Sequence, residues 1–171
     1  MAYAENTSVS VARSKAEIED ILSRYGASNF ACGSNDDKNQ AIIFFRIKTK
    51  QNEQLGVRVI LPLPDKDDYK TRKRRGWDID CTQDEQHKLW EQACRSRWRS
   101  LFLVVKARLE ACDAGISTIE REFMPDIVVP GTGGLTIGDS VLPQLPDIAK
   151  GGVPNFALVS EPRLMLTGQV G

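Results

Sequence analysis

Residues 41–61 read AIIFFRIKTKQNEQLGVRVIL. Two runs rich in β-branched and aromatic residues, Ala41 to Lys48 and Leu55 to Leu61, flank the polar KQNEQ. Such residues suit a pleated, half-buried surface, and a short polar connection joins antiparallel neighbours. Pro62 and Pro64 end the second run, because proline cannot donate to a ladder. Alternation puts Ile43, Phe45 and Ile47 on one face, with Val57, Val59 and Leu61 beside them. Phe44, Arg46, Lys48, Arg58 and Ile60 take the other. If the apolar sets align, Arg46 falls across from Arg58, a like-charge pair that weakens a sheet by about 0.2–1 kcal/mol. Either neighbouring carboxylates or an anionic ligand then neutralise the two guanidiniums.

Working outward, Phe30 to Cys32 is a short strand ahead of the turn-rich GSNDDKN, which makes a three-stranded meander. Ser14 to Tyr25 is a helix. Ser14 and Glu17 have capping-box spacing, Ala16, Ile18, Ile21, Leu22 and Tyr25 recur at helical intervals, and Gly26 is the stop. A long helix runs from Thr82 or Asp84 to about Ala114, ahead of Gly115. Trp90, Cys94, Trp98, Leu101, Val105, Leu109 and Cys112 form its apolar stripe. Around Phe102 to Val105 it is apolar nearly all round, so it is the central pillar on the sheet. Arg95, Arg99 and Lys106 mark its polar side. Ser117 and Glu120 suggest a second capping box before a short helix. Ile127 to Val129 is one more strand, PGTGG a turn, and Thr136 to Leu145 a weak helix bounded by Pro143 and Pro146. The fold class is α+β. Residues 1–149 form one domain with a flexible start over 1–12, and residues 150–171 form a Gly/Pro-rich tail.

Net charge is zero, with 23 basic and 23 acidic residues in 171. That excludes a protein that coats polyanions by bulk charge, so any anion binding rests on local clusters. The four cysteines, Cys32, Cys81, Cys94 and Cys112, show no C-x-x-C pair and are read as small buried hydrophobes, reduced as in a cytosol. The first residues lack the apolar core of a secretion signal, and the longest apolar run, Leu101 to Val105, is far too short for a bilayer. An intracellular location and no membrane partner are expected.

The densest cluster lies in residues 65–82, read as a polar loop. Lys70 to Arg75, KTRKRR, has five basic residues in six, followed by Gly76 and Trp77. Clustered Lys and Arg neutralise successive phosphates and release counterions, and an exposed tryptophan stacks on an unpaired base. The plain alternative is a solvated loop balanced by Asp65, Asp67, Asp68, Asp78 and Asp80. Arg46, Lys48 and Arg58 on the sheet and Arg95 and Arg99 on the long helix extend the candidate surface. Arg97 is read as snorkelling or paired with Glu91 or Asp84.

Signals for catalysis are weak. His87, the only histidine, sits among polar residues at a helix start without a second ligand. Asp65, Asp67 and Asp68 with Lys70 suggest a Mg²⁺-dependent nuclease, yet such sites need carboxylates fixed on strands. GTGG at Gly131 to Gly134 matches no phosphate loop. No enzyme, metal or cofactor is expected.

Three stretches, VARSKAEIEDILSRYGA, RVILPLPD and WEQACRSRWRSLFLVVKARLEACDAGISTIEREF, together resemble a family of small proteins encoded by tailed bacteriophages and prophages, over roughly residues 9–130. The resemblance implies context rather than an activity. The sequence departs from it near Gly131 to Asp139, where a shorter turn is implied, and in its Gly/Pro-rich end. The order helix, β-meander, long helix is also similar to the core of the single-strand annealing proteins that phages often carry. That similarity implies binding of single-stranded DNA through basic residues of the hairpin and long helix, by an oligomer. The leading expectation is therefore a phage-encoded, homo-oligomeric binder of single-stranded nucleic acid or annealing accessory. The alternative is a protein–protein module, such as an inhibitor of a host defence factor, whose basic loop meets an acidic protein surface. A metal-dependent nuclease ranks third.

Overall fold

A computed structural model describes residues 4–74 and 76–153. Helix α1 (Val11–Arg24) begins one turn earlier than expected. Ser10 is its N-cap and accepts from the Arg13 N–H at 3.2 Å. Ser14 lies inside the helix and is fully buried, because its small side chain continues the stripe of Ile18, Ile21 and Leu22. Ala16 is exposed and off that stripe. Gly26 (φ +79°) turns the chain out, and the Ala27 N–H reaches back to the Leu22 carbonyl at 3.0 Å, as in a Schellman stop.

Strands β1 (Ser28–Asn35), β2 (Gln40–Lys48) and β3 (Gln54–Pro62) form an antiparallel sheet in that order. Ile43 pairs with Val59, Phe45 with Val57 and Ala41 with Leu61, and all six are buried. Arg46, however, faces Gly56, and Arg58 faces Phe44, so the expected like-charge pair does not form. The turn decides this. Thr49 is buried, its N–H donates to the Glu53 carbonyl, and its Oγ1 accepts from the N–H groups of Gln51 and Glu53. That closure fixes Lys48 opposite Gln54. A two-residue slip keeps every side chain on the same face, so alternation could not choose between the two registers.

Two further strands, β4 (Thr71–Arg74) and β5 (Trp77–Asp80), pair antiparallel within the segment read as a loop. A 3-10 turn over Lys66–Tyr69, capped by Asp65, leads into them. Gly76 (φ +87°) supplies the left-handed residue of the tight connection, and Cys81 N–H to Lys70 carbonyl (2.8 Å) closes its base.

Helix α2 (Gln83–Asp113) starts on a reciprocal capping box between Thr82 and Glu85 and ends ahead of Gly115 (φ +72°). Trp98, Leu101, Phe102, Val105 and Leu109 are buried in one cluster with α1 and the inner sheet face, Cys94 is also buried, and Val104 stays 47% exposed. The helix is thus the pillar expected, with one open side. Trp90 is half-buried and donates Nε1–H to the Pro64 carbonyl at 3.0 Å. Residues 4–7, expected to be flexible, are tied to α2: Gln92 donates to the carbonyls of Glu5 and Thr7, and Ser96 to that of Ala4, itself buried.

Helix α3 (Ile119–Phe123) takes Thr118, not Ser117, as its cap, and buries Phe123 edge-on to Phe45 at 5.7 Å. Ile127 and Val128 make only isolated bridges, to Val57 and Thr136, instead of the strand expected, with Val128 N–H on the Gly56 carbonyl at 2.8 Å. Thr136 and Asp139 form the capping box of α4 (Ile137–Val141), and α5 (Leu145–Ile148) follows a 3-10 turn. Pro143 and Pro146 each sit in the first positions of a new turn rather than closing one helix. Of the expected tail, residues 154–171 lie outside the described residues. A Cβ at Gly138 would stand 2.6 Å from the Pro125 carbonyl oxygen. Both partners are backbone, so Gly138→Ala should lower stability by about 1–3 kcal/mol in urea melts; an unchanged midpoint would show that this junction yields freely.

Candidate nucleic-acid interface

The β4–β5 hairpin projects from the segment between β3 and α2. Its register sets Arg72 opposite Ile79, Lys73 opposite Asp78, and Arg74 opposite Trp77. Alternation therefore gathers Arg72, Trp77 and Ile79 on one face and Lys73, Asp78 and Asp80 on the other. Trp77 is 77% exposed, the most open ring of any described tryptophan. Ile79 beside it is 39% exposed. A bare indole normally seeks cover, so the hairpin presents a ready stacking plane next to cationic side chains.

The hairpin is anchored electrostatically at its root. Arg72 Nη2 lies 2.8 Å from Glu85 Oε1, the carboxylate of the α2 capping box. The Thr82 backbone N–H, then Arg72, hold the Glu85 carboxyl below its ordinary range. Lys70 pairs with Asp67 at 2.9 Å, both largely exposed. Lys73 is exposed and makes no ion pair with a described residue. Arg75 lies outside the described residues.

The remaining candidates do not join this group. Arg46 and Lys48 are exposed on the outer sheet face, at the end of β2 away from Gln40 and the chain leading to the hairpin. Eight residues of strand put Lys48 about 26 Å from Gln40. Arg58 binds Asp139, and its Nε is buried without a partner. A carboxylate, not a ligand, thus answers that guanidinium. Arg95 donates to Gln92 Oε1 at 2.8 and 3.1 Å and sits 3.9 Å from Glu91. Arg99 binds Glu17 and covers the Phe102 ring at 4.4 Å. Of the wider basic surface, Arg58 and Arg99 are internal struts.

Glu17 accepts from Arg99 and Arg13, and these bonds, Arg99 first, hold its carboxyl below the ordinary value near 4.5. A depressed carboxylate stabilises the fold above its ordinary value, and that contribution disappears as pH falls through the lower one. Glu17→Gln should therefore flatten the loss of thermal stability below pH 4.5 relative to the parent chain. Identical acid limbs would show that the α1–α2 bridge adds nothing.

Two residues near the hairpin root share a cleft that the sequence did not reveal. Tyr69 and Arg97 line a cleft of about 480 Å³ with Pro64, Leu89 and Ser100. Burial, then Asp68, push the Tyr69 phenol up. Arg97 is exposed rather than paired with Glu91 or Asp84. Nothing in DDYK or RSRWRS marks them, since they converge only through folding.

Two of the three acidic residues of the nuclease reading are engaged locally: Asp65 caps the 3-10 turn and binds Asn39, and Asp67 meets Lys70. Among the described residues, no His, Cys, Asp or Glu cluster has the geometry for a metal ion. His87 is half exposed, stacked on Trp90 at 5.7 Å. Cys94 is buried and Cys81 and Cys112 are partly so, but Cys32 is exposed, because β1 is open on both faces there. No described helix is long and apolar enough to cross a membrane. Comparisons with protein-family models, with curated proteins and with solved structures found no match to this chain.

Proposed function

We propose that the chain is a phage-encoded accessory protein that binds single-stranded nucleic acid through the β4–β5 hairpin. The observation that carries this reading is the exposure of Trp77 at 77% on the same face as Arg72 of an anchored hairpin, with Lys73 exposed on the reverse face. An unpaired base offers a π-face to the indole, and the flanking cations meet the adjoining phosphates. Duplex nucleic acid keeps its bases stacked inside and offers Trp77 no such surface. Neutral overall charge fits a protein whose contact is confined to one projection. No catalytic step is assigned.

Ile79, exposed on the same face as Trp77, supports a second reading. An aromatic and an aliphatic residue next to arginine also make an anchor for an acidic protein surface. A gel-shift series with single-stranded DNA, duplex DNA and RNA probes across salt concentrations separates the two. The nucleic-acid reading expects salt-sensitive binding, tightest to single strands. Absence of binding to every probe at low ionic strength would end it and leave the protein surface.

A further inference from the structure

We infer that β1 is a self-association edge, where a second copy of this chain pairs antiparallel over Ala31–Asn35 to join two sheets into one across a two-fold axis. This stands apart from the nucleic-acid reading. The two edges of the sheet are treated differently. On β3, Ile127 bridges to Val57, with Val128 N–H bonded to the Gly56 carbonyl. Along the outer side of β1 no described strand runs. Its sequence, SNFACGSN, holds no charge and no proline, the usual devices that keep an open edge from pairing. A bulge between Ser28 and Ala31, with Asn29 at φ +56°, blunts only the first part. From Ala31 to Asn35 the ladder to β2 is regular, so its outer groups are set for another strand.

Burial points the same way. Ala31, Cys32, Gly33 and Ser34 are all exposed, so neither face of this part of β1 is covered. A strand that buries neither face is held by its backbone alone, and a neighbour would cover what the monomer leaves open. Charge and closure pick the neighbour. An uncharged edge brings no like charges together when it meets its own copy. Because Ile127 and Val128 bond β3 at Val57 and Gly56, head-to-tail addition of β1 along the whole of β3 is obstructed. β1 against β1 meets no such obstruction among the described residues, and it is an isologous contact that closes at two chains.

Sedimentation equilibrium under reducing conditions, which keep exposed Cys32 from forming disulfides, tests the proposal. The parent chain is expected to approach twice its 19.0 kDa as concentration rises. A side chain at Gly33 meets no atom within 4 Å, so Gly33→Lys and Gly33→Glu should fold normally by circular dichroism. Each alone should sediment as monomer, since like charges then meet across the axis. An equimolar mixture should regain the dimer mass. Ser34→Lys, on an exposed side chain, makes the same test should the Gly33 variants misfold. A parent chain that stays monomeric at every concentration, or a dimer untouched by these charges, would overturn the inference.

Discussion

Changing Arg72, Lys73, Arg74 and Arg75 together to alanine should leave a folded protein whose affinity for single-stranded DNA is sharply reduced. Folding survives because the hairpin stands outside the core and Arg72–Glu85 is a half-exposed pair, worth little in water. Binding weakens because every phosphate that no longer meets a cation keeps its counterion, which flattens the slope of log affinity against log salt by about 0.7 per phosphate. Trp77→Ala should act differently. Loss of the stacking plane lowers affinity by roughly 1–3 kcal/mol without moving the slope, since stacking releases no ions. Fluorescence anisotropy with a labelled oligonucleotide over a salt series reads both quantities. If the four-alanine variant kept the parent slope, the phosphates would be held elsewhere, and exposed Arg46 and Lys48 on the far sheet end would be next to test.

Trp98→Ala should remove about 3–5 kcal/mol of stability, the range for deleting a buried aromatic from a packed core. Trp98 is 2% exposed and sits where α2 meets α1, with the Lys15 ammonium 4.6 Å from its ring centre. Its neighbours belong to separate elements that cannot all collapse into the space left behind. For a domain of this length the loss lowers Tm by roughly 10 °C. Val104→Ala, six residues along the same helix and 47% exposed, should stay within about 0.5 kcal/mol of the parent. Equal melting of the two variants would show that the two helix faces are packed alike.

The order of elements was readable from residue chemistry. The alternation in AIIFFRIK and LGVRVIL found the inner face, and the spacing from Cys94 to Leu109 found the stripe of α2. Gly26 and Gly115 marked helix ends because both need positive φ. One signal was present but overshadowed. WDID alternates apolar and polar like a strand and pairs with TRKR, yet the density of charge suggested a formless loop. Arg58, Arg95 and Arg99 looked like ligands for an anion because their partners lie far off in the chain or hold only part of the charge. Glu17 reaches Arg99 across 82 positions, and Asp139 reaches Arg58 across 81.

Outside residues 65–82, local pattern thus set the main element types and their buried faces, since those follow from the period of the side chains and the φ preferences of single residues. Folding alone chose the strand register, through the hydroxyl of Thr49. It also chose which cations are neutralised and which stay open, because charge pairing depends on distances between segments that periodicity does not encode. The bare ring of Trp77 is the sum of both: the residue is plain in the chain, while its exposure follows from a hairpin that no other described element covers.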